Sequence, residues 1–499
     1  MPCVLAACAC AQAAHVTVIG HFGHGYNPIL RALEDTGLAV STENSLRTAG
    51  PDGPATLEGT DLLLALPADY PPDLTELLAS YVEGGGALLI LVPEAPPPSL
   101  ARLCASVGVP LERQSSVPRG PRSAYRGMFG HLARGDWPAG PEPTRLMVYS
   151  GWKLAPVDAD AQVLVRTADR FSSGVWRDSS EPVAIKRPLG EGSVIVCLDF
   201  VGPQQLLWDL SGESLRLFVG LAADELGLPV SHTDRGRFTR FIPGADKRVK
   251  TDYRMLIVPA RYSLPAHPQL IARLLADRVA EETGLHLSAE IAPPVEPAQA
   301  ADRYPDALAF YNDVKAAAGP GLSDYDVLVA LTSDTLPAFN TDARSYLGVW
   351  FSGRDRPDSP YGVVIAGGSD EVRDAEWDAQ KREWVSTNRR RAATLGSRGI
   401  VHALMHEFGH HIGFPDYVAP PPYIMSGYYR NSELEYSELF KERLCVTMIA
   451  AAEAGLAQSG ADREDHEELS RLIAIADRHL SRGSPRAGLD AALRVLGRL

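Results

Sequence analysis

Two histidines four residues apart, with a glutamate beside the first, form the segment of this 499-residue chain best suited to chemistry: His406-Glu407-Phe408-Gly409-His410. On a helix, positions four apart lie on one face about a turn apart, so both imidazoles can be directed at one metal ion with Glu407 alongside. Zinc held by three protein groups keeps a position open for water, whose pKa falls to about 7, and a neighbouring carboxylate can then take its proton near neutral pH. Glu407 is placed to be that carboxylate. Gly413 can adopt the left-handed conformation that ends a helix and turns the chain back, which lets Asp416 approach the same ion from another side. Shortly afterwards, Ile424-Met425-Ser426-Gly427-Tyr428 sets a methionine in a turn-like context.

These groups need a rigid support. Ile400-Val401-His402-Ala403-Leu404-Met405 supplies an apolar face that would bury the helix against a sheet. Upstream, an α/β pattern runs from about Arg254: strands at Arg254 to Pro259, Asp326 to Thr332 and Tyr361 to Ala366, and helices at Gln269 to Thr283 and Ala307 to Ala318. The run Tyr361 to Ala366 suits either an interior strand or an edge strand that pairs with an extended peptide; Gly367-Gly368 after it favours the edge. Downstream, Glu435 to Ala454 reads as a helix, and Arg463 to Leu499 as two more, broken at Gly483-Ser484-Pro485. His411 should face away from the ligand side, towards packing or solvent, and His402 lies one turn before His406.

The run His406 to Asp416, followed by Met425, resembles the metzincin metallopeptidases, whose pattern is H-E-x-x-H-x-x-G-x-x-H or D and then a methionine-containing turn. The form with aspartate as third ligand, HExxHxxGxxD, resembles the snapalysin type. The matched segment covers residues 400–429. The resemblance implies a zinc-dependent endopeptidase acting on a protein or peptide, with His406, His410 and Asp416 as zinc ligands and Glu407 as general base. It also implies Met425 beneath the metal, and Tyr428 or Tyr429 in support of the transition state; the place two residues after the methionine, where several metzincins have a tyrosine, is Gly427. An aspartate ligand leaves the ion with less net positive charge, so activity would be modest or shifted in pH. The alternative is a zinc-containing interaction module that has lost hydrolysis, against which the retention of Glu407 argues. No residue set for any other cofactor is evident.

From His15 to about Pro229, short apolar runs alternate with helical ones, the pattern of an α/β domain with a largely parallel, flavodoxin-like sheet. Strands are expected at His15 to Gly20, Asp61 to Pro67, Gly86 to Val92, Arg145 to Tyr149, Gln162 to Arg166, Val183 to Lys186 and Ser193 to Phe200, with a helix from Pro72 to Val82. The unit Leu78 to Leu89, with its Gly84-Gly85-Gly86, and the later Gly190-Glu191-Gly192-Ser193-Val194-Ile195-Val196 resemble class I glutamine amidotransferase-like domains. The catalytic cysteine of that family has no counterpart in Val92-Pro93-Glu94-Ala95-Pro96-Pro97-Pro98, so a binding or scaffolding domain of unknown ligand is expected. The expected organisation is a signal remnant at 1–14, an amidotransferase-like domain at 15–229, a linker at 230–249, a metzincin-like α+β domain at 250–456 and a helical extension at 457–499.

Composition sets the outer limits. With 45% hydrophobic and 22% charged residues the chain can bury sizeable cores, and a formal net charge of -14 disfavours a nucleic-acid partner. After the N-terminus no apolar run is long enough for a membrane span. The start ends in Ala11-Gln12-Ala13-Ala14, an A-x-A site that predicts export, secreted or periplasmic; without a basic n-region the other reading is a buried first strand in a cytoplasmic protein. Cys104, Cys197 and Cys445 are widely separated among apolar neighbours and read as core thiols.

Overall fold

The computed structural model describes the chain outside residues 1–13, 21–23, 44–56, 58, 94, 114–128, 135–146, 149–151, 156–159, 173–174, 179, 229–234, 265–266, 336–347, 352–359, 367, 379, 381–382, 395, 415–422 and 426–433. It divides into two units. The first takes the described residues of Met1–Arg170, Asp178–Gln205 and Glu213–Thr233, and the second those of Phe171–Arg177, Leu206–Gly212 and Asp234–Leu499.

In the first unit, β1 (His15–Ile19), α1 (Asn27–Asp35), β2 (Ala39–Glu43), β3 (Leu62–Ala65), α2 (Pro72–Glu83), β4 (Ala87–Val92) and α3 (Pro98–Ser106) succeed one another. Short strands follow: β5 (Leu111–Arg113), β6 (Phe129–Arg134), β7 (Met147–Val148) and β8 (Trp152–Leu154). Then come β9 (Gln162–Ser172), β10 (Val175–Asp178), β11 (Pro182–Leu189), β12 (Gly192–Leu198), α4 (Pro203–Trp208) and α5 (Glu213–Glu225), of which residues 171–177 and 206–208 fall to the second unit. The main sheet runs β2-β1-β3-β4-β12-β11-β9-β6-β7. It is parallel from β2 to β12 and turns antiparallel at β11. The parallel strands are apolar throughout because both faces are covered: Leu62 to Ala65 and Leu88 to Val92 are all buried. The mixed α/β class with a largely parallel sheet is thus the one expected.

Cys104 and Cys197 are buried in this unit, and burial pushes the Cys104 thiol up to about 12, so it stays protonated and packs. Asp199, at the end of β12, is also buried; its carboxylate accepts hydrogen bonds from the Tyr26 hydroxyl at 3.2 Å and the Val201 amide at 3.0 Å. Desolvation nevertheless dominates and raises its pKa to about 6. The folded value exceeds the unfolded one of about 3.9, so the folded state holds the extra proton between them. The resulting stabilisation is complete below about pH 4 and is lost as pH rises through about 6, a change on the order of 3 kcal/mol. In urea unfolding of the full chain, the transition of this unit should fall over that window more steeply in the wild type than in Asp199→Asn; parallel profiles would remove this assignment.

The second unit begins with two short helices, α6 (Gly236–Thr239) and α7 (Ala245–Arg248). The stretch expected as a polar connection is therefore packed structure where described, with Phe238 and Arg248 both fully buried. Next come β13 (Asp252–Pro259), α8 (Pro268–Thr283), β14 (His286–Ile291), α9 (Ala307–Ala318), β15 (Val327–Thr332), β16 (Gly348–Phe351) and β17 (Tyr361–Ala366). Their sheet runs β14-β13-β15-β17-β16, parallel except for β16. Tyr361 to Ala366 is accordingly an interior strand, correcting the expectation of an edge: β16 pairs with it and takes the edge position. A hairpin of β18 (Gly368–Asp378) and β19 (Glu383–Thr394) follows. The chain ends in α10 (Ser397–His411), α11 (Glu438–Gln458), α12 (Arg463–Ser481) and α13 (Pro485–Leu496). Among the described residues no helix is long and apolar enough to cross a membrane.

Candidate functional site

Helix α10 is buried along nearly its whole length. From Ile400 to His411 every residue is buried except His406, which is half-buried. The helix therefore gains its stability from packing on more than one side, and its polar groups need specific partners. The rings of His406 and His410 lie 4.8 Å apart between centroids, at 87° to each other. Glu407 is 5% exposed and His410 7%, so the carboxylate and one imidazole stand at the margin of the interior.

His410 Nδ1 lies 2.6 Å from the carbonyl oxygen of Phe414. A carbonyl can only accept, so Nδ1 carries the proton. Hydrogen bonding of one ring nitrogen to a backbone carbonyl is the usual way a metal-binding histidine has its tautomer and orientation set. The turn that brings this carbonyl into place runs through Gly413 at φ +98, a conformation that a side chain would oppose. It is closed by the Gly413 amide donating to His410 O and the Phe414 amide to Gly409 O.

The floor is a stack of rings and one sulfur. Phe414 stacks on Phe440 at 3.8 Å and Tyr436 on the same ring at 3.7 Å, while the Tyr436 hydroxyl donates to Met405 O at 2.6 Å. Met425 is fully buried, and its Sδ fills the space a side chain would need at position 409. Only glycine fits between the two histidines on that side. Met425 holds φ +73, a conformation a non-glycine residue keeps only where its surroundings enforce it. Met425 therefore lies against α10 at Gly409, between His406 and His410.

Three further components were not foreseen. Strand β16 crosses the helix so closely that a Cβ at Gly348 would overlap Glu407 Oε1. Trp350 on the same strand and Trp208 of the Leu206–Gly212 segment lie 6.2 Å and 5.5 Å from the His410 ring. The third is Arg248, fully buried, which donates to the carbonyls of His410, His411 and Leu207; burial draws its guanidinium down to about 10. His411 points away from the ligand side, as expected, but into the core and not to solvent. It packs against Tyr253, Tyr361 and Phe408, and burial holds it well below the usual histidine range.

The structure thus brings His406, Glu407, His410 and Met425 together. Asp416, Tyr428 and Tyr429 lie outside the described residues. Among the described residues no group of three or more His, Cys, Asp or Glu is close enough to hold a metal ion. The donors that are described fit zinc: two imidazoles one helical turn apart, one with its outer nitrogen protonated and bonded.

No protein-family model matches the chain, and no curated protein does. Among solved structures it is similar to a cytoplasmic protein from Salmonella typhimurium LT2, at 16% identity over 42% of this chain and 98% of that one, with a TM-score of 0.31. It is also similar to a glutamine amidotransferase from Thermotoga maritima, at 11% identity, 47% and 93% coverage and a TM-score of 0.28. A beta-galactosidase from Rahnella sp. R3 matches at 16% identity over 44% of this chain and 32% of that one, with a TM-score of 0.29. At such TM-scores these likenesses do not bear on what the chain does.

Proposed function

We propose that the second unit is a zinc-dependent endopeptidase. His406 and His410 would hold the ion, with Asp416 as third ligand by position in the motif, and Glu407 would act as general base. The observation that carries this reading is the His410 Nδ1 bond to Phe414 O, which fixes the tautomer and orientation of that ring on the same helical turn as a buried carboxylate. When bound, zinc would supply Lewis acidity and acidify water. The chain's own part is to hold both imidazoles on a buried helix, to keep Glu407 at the margin of the interior, and to exclude bulk water with Trp208 and Trp350. The test is zinc content of purified protein, paired with cleavage of casein with and without chelator. One zinc with no cleavage would favour the interaction-module reading, and no zinc would remove the proposal.

The edge strand β16 extends the reading to the substrate. Antiparallel to β17 and without a second strand partner among the described residues, it offers unpaired backbone groups to an extended peptide beside Glu407. Gly348→Val should displace the Glu407 carboxylate and lower kcat about 100-fold, the scale of a misplacement of about 1 Å, while zinc content stays at the wild-type level. Loss of zinc together with activity would instead show that the residue supports the fold of the site. The first unit, with no cysteine after β4 at Val92-Pro93, is assigned a binding or scaffolding role.

A further inference from the structure

We infer that Arg248, which lies outside the metal-binding motif, is a positioning residue for the metal-binding pair. This rests on the zinc reading above. The guanidinium spends its donors on backbone carbonyls: Nε on His411 O at 2.6 Å, one terminal nitrogen on His410 O at 2.9 Å and the other on Leu207 O at 2.7 Å. The first two are last-turn carbonyls of α10, of which His410 O also accepts from the Gly413 amide, and a cation there opposes the negative end of the helix dipole. The third belongs to the segment whose Trp208 packs on the His410 ring at 5.5 Å. The guanidinium lies 5.4 Å from the centroid of Trp350 and 5.9 Å from that of Tyr361, rings that stack on each other at 7°.

One buried side chain therefore ties together the end of the histidine-bearing helix, the tryptophan that covers His410, and the strand that abuts Glu407. The backbone on both sides of the Nδ1 bond is involved, since Phe414 follows directly on the turn whose carbonyls Arg248 holds. A lysine could satisfy one of the three carbonyls, whereas only a planar fork reaches all of them.

The test is titration of metal-free full-length protein with Co2+, read by its visible absorption, and with Zn2+ by competition. Arg248→Met should weaken binding about 10–100-fold, as changes in the groups that orient metal ligands do, and alter the Co2+ absorption band. Arg248→Lys should recover part of the loss. Arg216→Met, which removes a buried arginine of the first unit, should leave both readouts unchanged. Wild-type affinity and absorption in a folded Arg248→Met protein would overturn the inference while leaving the zinc reading in place. Failure of both Arg248 variants to fold would overturn it in favour of a purely structural role. A wild type that binds neither metal would overturn the zinc reading and this inference with it.

Discussion

Glu407→Gln should retain one zinc per chain and lose hydrolysis by about 10²–10⁴-fold, the range that positioned acid–base catalysis contributes. Glutamine keeps the size of the side chain, so the contact with β16 at Gly348 survives and the packing of α10 is undisturbed. What it removes is the ability to accept a proton, and Glu407, 5% exposed on the helical turn between His406 and His410, is the acidic group that the motif places beside the ligands. Single-turnover cleavage of casein, with metal content measured on the same samples, separates the outcomes. Equal rates in wild type and variant would assign the proton to another group; a wild type that holds zinc but cleaves nothing would leave the interaction-module reading standing.

The placing of His406, Glu407 and His410 on one helical turn was legible because its geometry is local. His406, Glu407 and His410 fall within one helical turn, and residues 400–411 carry the apolar pattern that makes that turn a helix. Helix α9 was legible for the same kind of reason: the Asp306 side chain caps the Ala309 amide and Gly319 ends the run at φ +84, both signals readable in place. What stayed hidden depends on partners far along the chain. Arg248 looked like part of a linker, because two of the three carbonyls that receive its guanidinium lie more than 160 positions later, at the end of α10. The run Tyr361 to Ala366 is buried from Gly362 onward, and its pattern could not show that β16 takes the edge beside it. Tyr436 and Phe440 read only as the start of a helix; the stack they build on Phe414, whose carbonyl oxygen bonds His410 Nδ1, is announced by no periodicity.

His410→Ala should have the second large effect, in two separable parts. Without metal, the variant should already be less stable than the wild type, because truncation leaves the buried Phe414 carbonyl without its donor, a cost of about 1–3 kcal/mol, and opens space beside Trp208. His406→Ala, at a half-buried position, should remain closer to the wild type in the metal-free state. In their response to zinc the two should agree. A ligand that binds only the folded state stabilises it by an amount that grows with the logarithm of its concentration over Kd, about 4 kcal/mol at 1,000 times Kd, so the wild type should show a zinc-dependent rise in Tm. Each histidine variant should lose most of that rise, because each removes one of the two imidazole ligands. Calorimetry of the three proteins, with chelator and with zinc, decides between a metal site and a buried histidine that only packs: the packing role alone predicts the destabilisation of His410→Ala with no zinc-dependent rise in any of the three.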